Sequence, residues 1–388
     1  MNYSGESPAA RRLLDMAGSA LSDIVRDVVA ICQIPAPTFA EDQRTAFVRN
    51  RMTEIGLTDV TVDEIGDVVG RLRGTGGGPT LLLAAHLDTV FPMETDVTVR
   101  VDGEILRAPG VGDNSASVAS MLQTARLLLQ SETSLAGDLL FAATVGEEGL
   151  GNLRGIRRVM EQYGHEVDYV MALDGSLGSL VRQAVGSRRF RLVVTAEGGH
   201  SWGAFGSPSA IHNLGRIIAE IADLRVPTHP KTTFNVGMIS GGTSVNTIAA
   251  RAEAVIDLRS LDVDELRKLE EKVRRIAQDV CRHGGVSAEF ELLGDRPTGS
   301  IPDDHPLCQM VRRVHAQMGI QTRSYPSSTD ANVPLSLGVP AVTVGVTLGG
   351  NGHRLDEYIH TSPMVKGVQQ LLLLLLAAQH LPTRVRQG

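Results

Sequence analysis

The chain has 388 residues, 42% hydrophobic and 21% charged, so it is long enough for two domains and too apolar to be globally disordered. A net charge of −7 and a pI near 5.9 argue against a nucleic-acid partner, which would call for a basic face. Three scattered cysteines, Cys32, Cys281 and Cys308, make neither a disulfide framework nor a cysteine-rich zinc site and fit a reducing compartment.

Arg11 and Arg12 precede no continuous apolar stretch, which leaves no secretory signal to read, and a cytoplasmic protein is expected. Residues 8–31 carry apolar positions at helical spacing, with a stop near Pro35 and Pro37. From about residue 66 to 185, short apolar runs alternate with helical stretches. TLLLAA (80–85), DLLFAATV (138–145) and VDYVMAL (167–173) read as strands. SVASMLQTARLLLQ (117–130) and GIRRVMEQY (155–163) read as helices. This alternation predicts an α/β fold with a mainly parallel sheet flanked by helices.

The texture changes at RRFRLVVTAEG (188–198), which alternates polar and apolar like a strand with one wet face. A helix over 208–224 follows, then FNVGMISGG and ARAEAVIDLRS as paired antiparallel strands. The charged helix 262–284 and the strand VSAEFELL close the segment. The order β-α-β-β-α-β describes a two-layer α+β insert over 187–297, interrupting a larger domain made of 1–186 and 298–388. After Pro297 the helix–strand pattern resumes with PLCQMVRRVHAQMG, VPAVTVGV and a C-terminal helix. The run LLLLLLAA (371–378) in that helix is too short to span a bilayer, so no membrane partner is expected.

Four apolar runs end in residues that are costly to bury unless something binds them. TLLLAA runs into His86 and Asp88, and DLLFAATV into Glu147 and Glu148. VDYVMAL runs into Asp174, and VPAVTVGV leads through TLGGNG to His353. Ligands of open α/β sheets bind at the carboxyl ends of strands, so the four clusters are expected to converge on one crevice. Histidines and carboxylates without cysteine suit a zinc-like divalent metal. Asp88, two residues after His86, would take the imidazole N–H and fix the ring. Of the neighbours Glu147 and Glu148, one would bind metal and the other would face the water it activates. Asp113, in the Gly-Asp-Asn turn before helix 117–130, reads in isolation as an ordinary N-cap. GLGNLRG (149–155) imitates a dinucleotide loop, but two glutamates precede it and its spacing is wrong.

AAHLDTV, GVGDNSA, TVGEEGLG, ALDG and NGHRLDEY, in this order, resemble the metal-binding segments of the dizinc aminoacylase, carboxypeptidase and peptidase T family. AEGGHSWGAFGSPSAIHNL and ISGGTSVNTIAARAEAVIDLRS are similar to its lid or dimerisation domain. The resemblance implies two divalent ions per subunit, zinc with cobalt or manganese as substitutes. Asp113 would bridge them, His86 and Asp174 would complete one site, and Glu148 and His353 the other. It implies Asp88 as orienter of His86 and Glu147 as general base. The family's pattern, a ligand histidine before an acidic pair as His-x-x-Asp-Glu, implies His353 rather than His360. The resemblance also places a cis peptide at Asp113–Asn114. His200 would be an oxyanion donor delivered across a homodimer formed through the lid. Asn246 and Arg259 would hold substrate, Arg259 being the candidate for a carboxylate; a strand-end salt bridge is its plainer role. The implied activity is hydrolysis of short peptides, with Asp174–Gly175 and GGTSVN leaning to the peptidase T side. An N-acyl-amino-acid deacylase or a carboxypeptidase is the alternative.

Overall fold

The computed structural model describes residues 8–384. The chain divides into two compact units, Met1–Ala184 with Ser300–Gly388, and Val185–Gly299.

The first unit is built on a six-stranded sheet. In chain order its first part comprises α1 (Pro8–Gly18), α2 (Leu21–Cys32), α3 (Asp42–Ile55), β1 (Thr58–Val62), β2 (Val68–Leu72) and β3 (Leu81–His86). β4 (Arg100–Asp102), β5 (Ile105–Arg107), α4 (Ser117–Gln130), β6 (Leu139–Thr144), α5 (Arg154–Tyr163) and β7 (Tyr169–Leu177) follow. The sheet order is β1-β2-β6-β3-β7 and then strand Ala341–Gly345. β6, β3, β7 and Ala341–Gly345 run parallel, while β1 and β2 join antiparallel at one edge. β3 and β6 are buried along their whole length, which is why they read as unbroken apolar runs rather than alternating ones.

Helix Ser362–Ala378 buries all six residues of Leu371–Leu376. It packs against α1, α4 and helix Pro306–Gln317, so a helix apolar on every side is a core helix here. No helix among the described residues is long and apolar enough to cross a membrane. A small antiparallel sheet, Gly349–Gly350, Tyr358–His360, β5 and β4, lies within the same unit and holds the loop that carries His353.

Two features depart from the sequence reading. The helix expected over 8–31 is two helices broken at Ser19 and Ala20, just after Gly18, where the conformational cost of glycine weakens a helix. The β1–β2 hairpin was not anticipated, because β1 is exposed at four of its five positions and shows no apolar pattern.

The second unit is a four-stranded antiparallel sheet in the order Thr232–Gly241, Arg251–Ser260, Gly186–Thr195, Ser287–Arg296. Helices Ala210–Ala222 and Val263–Gly284 cover one face. Phe190, Leu192 and Val194 alternate inward beside Ala254, Ile256 and Leu258. They meet Leu214, Ile217 and Ile221 from one helix and Leu266, Leu269 and Val273 from the other. The long helix starts where Asp262 accepts the amides of Asp264 and Glu265, both at 2.9 Å, satisfying donors that would otherwise lack partners.

Candidate metal centre

His86 is the last residue of β3 and is buried. Its Nδ1 lies 3.1 Å from the backbone oxygen of Asp88 and 3.6 Å from the Asp88 carboxylate. The carbonyl, not the carboxylate, is thus the closer partner of the ring. With the proton on Nδ1, the lone pair of Nε2 faces the Asp113 Oδ1, 3.1 Å away. The Asp88 side chain has another occupation: its two oxygens accept the amides of Glu147 and Glu148, each at 2.9 Å, and the Thr38 hydroxyl at 2.8 Å.

That contact belongs to a series. Four successive amides, from the last residue of DLLFAATV through the glutamate pair, each donate to a buried carboxylate. Val145 N–H reaches Asp67 at 2.8 Å, Gly146 N–H reaches Glu41 at 3.0 Å, and the next two reach Asp88. The turn before α4 is held in the same way. Glu357 accepts from Gly110 at 3.0 Å, Gly112 at 2.7 Å and Asp113 at 2.8 Å. The Asn114 side-chain Nδ2 donates to the Leu173 carbonyl at 2.9 Å, tying this turn to β7 next to Asp174. The Asp113–Asn114 peptide is cis. Arg44, fully buried, donates to the carbonyls of Ile34 and Leu87 at 2.6 and 2.7 Å and so fixes the backbone between His86 and Asp88.

These restraints bring the strand-end residues together. His353 Nε2 lies 3.0 Å from Asp113 Oδ2 and 3.0 Å from Glu148 Oε1. Asp113 thus faces one imidazole with each oxygen. Three overlapping sets have ligand atoms within 4.8 Å of one another: His86, Asp113 and Asp174; His86, Glu147 and Glu148; Asp113, Glu148 and His353. His360 stays in its strand, ring edge-on to Tyr358, outside these sets.

The cluster has the electrostatics of a cation site. Asp113 Oδ1 is buried and accepts no well-aligned hydrogen bond although His86 Nε2 is close, as when two lone pairs face a common ion. Burial, and then the neighbouring Asp113 charge, push the Asp174 carboxyl up to about 7. Contacts to Asp113 and Glu148 push His353 up to about 10. So many carboxylates around two imidazoles need positive charge, and a nitrogen and oxygen donor set without sulfur suits zinc, cobalt or manganese. A cavity of about 170 Å³ opens beside Asp113 and Asp174, lined also by Gly112, Gly175, Gly350 and Tyr358.

The remaining predicted site residues lie in the second unit. His200 pairs with Thr247 in a two-residue ribbon, and Ser201 N–H donates to the Asn246 carbonyl at 3.0 Å, so His200 and Asn246 are neighbours. His200 Nδ1 accepts the amides of Trp202 and Gly203, both at 3.2 Å, which leaves the proton on Nε2. Arg259 is not brought to them. It stands eight residues along its strand from Arg251, roughly 27 Å at 3.4 Å per residue, and is paired with Asp257 at 2.7 Å.

Sequence reasoning did not find Glu357, Glu41, Asp67 or Arg44. Only Glu357 had a signal, as the last acid of the His-x-x-Asp-Glu run. The others grip backbone groups, which carry no side-chain pattern.

Comparison with known proteins agrees with this geometry. Residues 82–377 match the family described as Peptidase family M20/M25/M40. The uncharacterized protein YqjE of Bacillus subtilis is 24% identical over 90% of this chain and 94% of its own length. The N-acetylcysteine deacetylase of the same organism is 24% identical over 74% of this chain and 78% of its own length. The aminopeptidase PepT of Bacillus cereus shares the fold with a TM-score of 0.77 at 21% identity, covering 92% of this chain and 98% of the other. The chain therefore belongs to peptidase family M20/M25/M40 and is a metal-dependent hydrolase of amide or peptide bonds.

Proposed function

We propose that the protein hydrolyses short peptides at a centre of two divalent ions, zinc in its native state. His86 and Asp174 would hold one ion, Glu148 and His353 the other, and Asp113 both. The chemistry such a pair supplies when bound is Lewis-acidic: it polarises the scissile carbonyl and makes a water proton removable near neutral pH. The observation that carries this reading is the Asp113 carboxylate, with one oxygen 3.1 Å from His86 and the other 3.0 Å from His353.

Glu147 is the general base. Its buried carboxylate takes a proton from the attacking water and returns it to the leaving amine nitrogen. The Asp88 grip on the Glu147 and Glu148 amides keeps these two side chains in fixed register. His200, with its proton on Nε2, is a neutral donor for the developing oxyanion. We assign it to the centre of a partner subunit, in a homodimer formed through the second unit. Asn246, beside His200, orients the substrate in the same centre as His200; Arg259, at the far end of its strand, would bind a substrate carboxylate in a different centre from those two, which requires its fork to exchange Asp257 for substrate. Three buried free thiols fit a reducing, cytoplasmic setting. The likeness to the N-acetylcysteine deacetylase favours one alternative, deacylation of an N-acyl amino acid at the same centre.

Hydrolysis of a mixed panel of di-, tri- and N-acyl-peptides, before and after chelation and metal add-back, tests the reading. Metal-restored cleavage supports the centre, and the preferred member of the panel separates peptidase from deacylase. Cleavage that survives complete chelation contradicts it.

A further inference from the structure

Behind the Glu147 loop lies a second pair of carboxyls that binds no metal in the reading above. Asp67 is 1% exposed. Its Oδ1 accepts the Val145 amide at 2.8 Å. Asp63 Oδ1 accepts three amides, those of Ile65, Gly66 and Asp67, each at 3.0 Å. The other oxygen of each residue, Asp63 Oδ2 and Asp67 Oδ2, is buried and receives no N–H or O–H among the described residues. The two residues close one turn on each other, Asp63 N–H donating to the Asp67 carbonyl at 3.1 Å and Asp67 N–H to Asp63 Oδ1 at 3.0 Å. Two bare carboxylates cannot hydrogen-bond, because neither has a donor. One proton between them satisfies both orphaned oxygens.

We propose that Asp67 is a protonated carboxylic acid that donates to Asp63 and, through the Val145 amide, is a positioning residue for the loop bearing Glu147. The backbone at Gly155 packs directly against this contact: a Cβ there would overlap Asp67 Oδ1 and Val145 N. Gly155 N–H in turn donates to the Val145 carbonyl at 2.9 Å, so Val145 is held on both its polar groups. The charged groups acting on Asp67 are Asp63 from the preceding turn and Asp330, one oxygen of which accepts the Thr144 hydroxyl. Arg154, which follows the Glu147 loop in sequence, is engaged by Glu41 at 2.8 Å. Burial first, and the Asp63 charge second, push the Asp67 carboxyl up to about 9.

The sign of the pH effect follows. An acid whose folded pKa exceeds its unfolded value of about 4 loses its stabilising contribution as pH rises between the two values. Asp67→Asn supplies the same acceptor and a permanent donor, and so removes that slope.

The test begins with infrared difference spectra of wild type minus D67N near neutral pH, which need neither turnover nor metal. The carbonyl stretch of a protonated carboxylic acid should appear in wild type and be missing from D67N; its absence from wild type would overturn the proposal. The melting temperature of D67N should exceed that of wild type by a margin that widens from about pH 5 to about pH 8, and a constant or shrinking margin would contradict it. The link to Glu147 rests on the function proposed above and has its own readout. Wild type should lose turnover on the alkaline side where D67N does not, and coincident alkaline limbs would remove the positioning role while leaving the infrared result to stand.

Discussion

Around Asp113 and Glu147, buried carboxylates grip the loops from beneath; around His200, the loop stands in solvent. In the first unit Asp67, Glu41, Asp88 and Glu357 between them accept seven backbone amides from two loops. In the second, the turn after His200 carries Trp202 at 89% and Phe205 at 91% exposure, and Val245 lies fully open beside Asn246. The difference matches the work assigned to each. A cluster of like charges cannot be held by its own attractions, so its geometry must be imposed by the scaffold. A donor that meets substrate only when bound gains from a loop with few internal restraints.

The comparison can be broken at either end. The largest effect belongs to Glu147→Gln, which should lower kcat by about 10⁴-fold while metal content is retained; near-wild-type turnover would remove Glu147 from the mechanism. His200→Ala should lower kcat by about 10²–10³-fold with metal content and melting temperature unchanged. A loss of stability there would show that the His200 loop is structural after all. Asp88→Ala leaves the Glu147 and Glu148 amides and the Thr38 hydroxyl without their acceptor. It should cost about 3 kcal/mol in denaturant unfolding and weaken metal binding in parallel.

A smaller effect concerns protons. His353, held up to about 10, and Asp174, held up to about 7, must lose protons before either can bind a cation. Metal affinity should rise about tenfold per pH unit or more below about pH 10, with protons released on binding. Calorimetry in buffers of different ionisation enthalpy measures this directly, and binding without proton release would contradict the ligand set. Least of all, Trp202→Ala should change stability by less than about 0.5 kcal/mol, since the ring buries almost nothing. A change near that of Asp88→Ala would erase the contrast between the two regions.

Much of this was legible in the residues. TLLLAA, DLLFAATV and VDYVMAL are buried on both faces, so their apolar runs announced parallel strands, and the acids and histidines after them pointed to the cluster now seen at the strand ends. The β-α-β-β-α-β insert was legible because its one-sided sheet alternates. What could not be read was support by backbone contacts. Nothing about positions 41, 67, 88 and 357 ties them to amides at 110–113 and 145–148, because every residue type but proline offers the same N–H. The His86–Asp88 relation shows the limit most clearly. The two-residue spacing correctly placed them side by side, yet the carboxylate turns to the Glu147 loop and leaves the nearest contact with the ring to its own carbonyl.

The most direct test of the central claim is metal content and peptide hydrolysis measured on the same preparation through chelation and zinc add-back. Two ions per chain, with turnover lost on chelation and regained with zinc, is the predicted result. Full turnover in metal-free protein would contradict it.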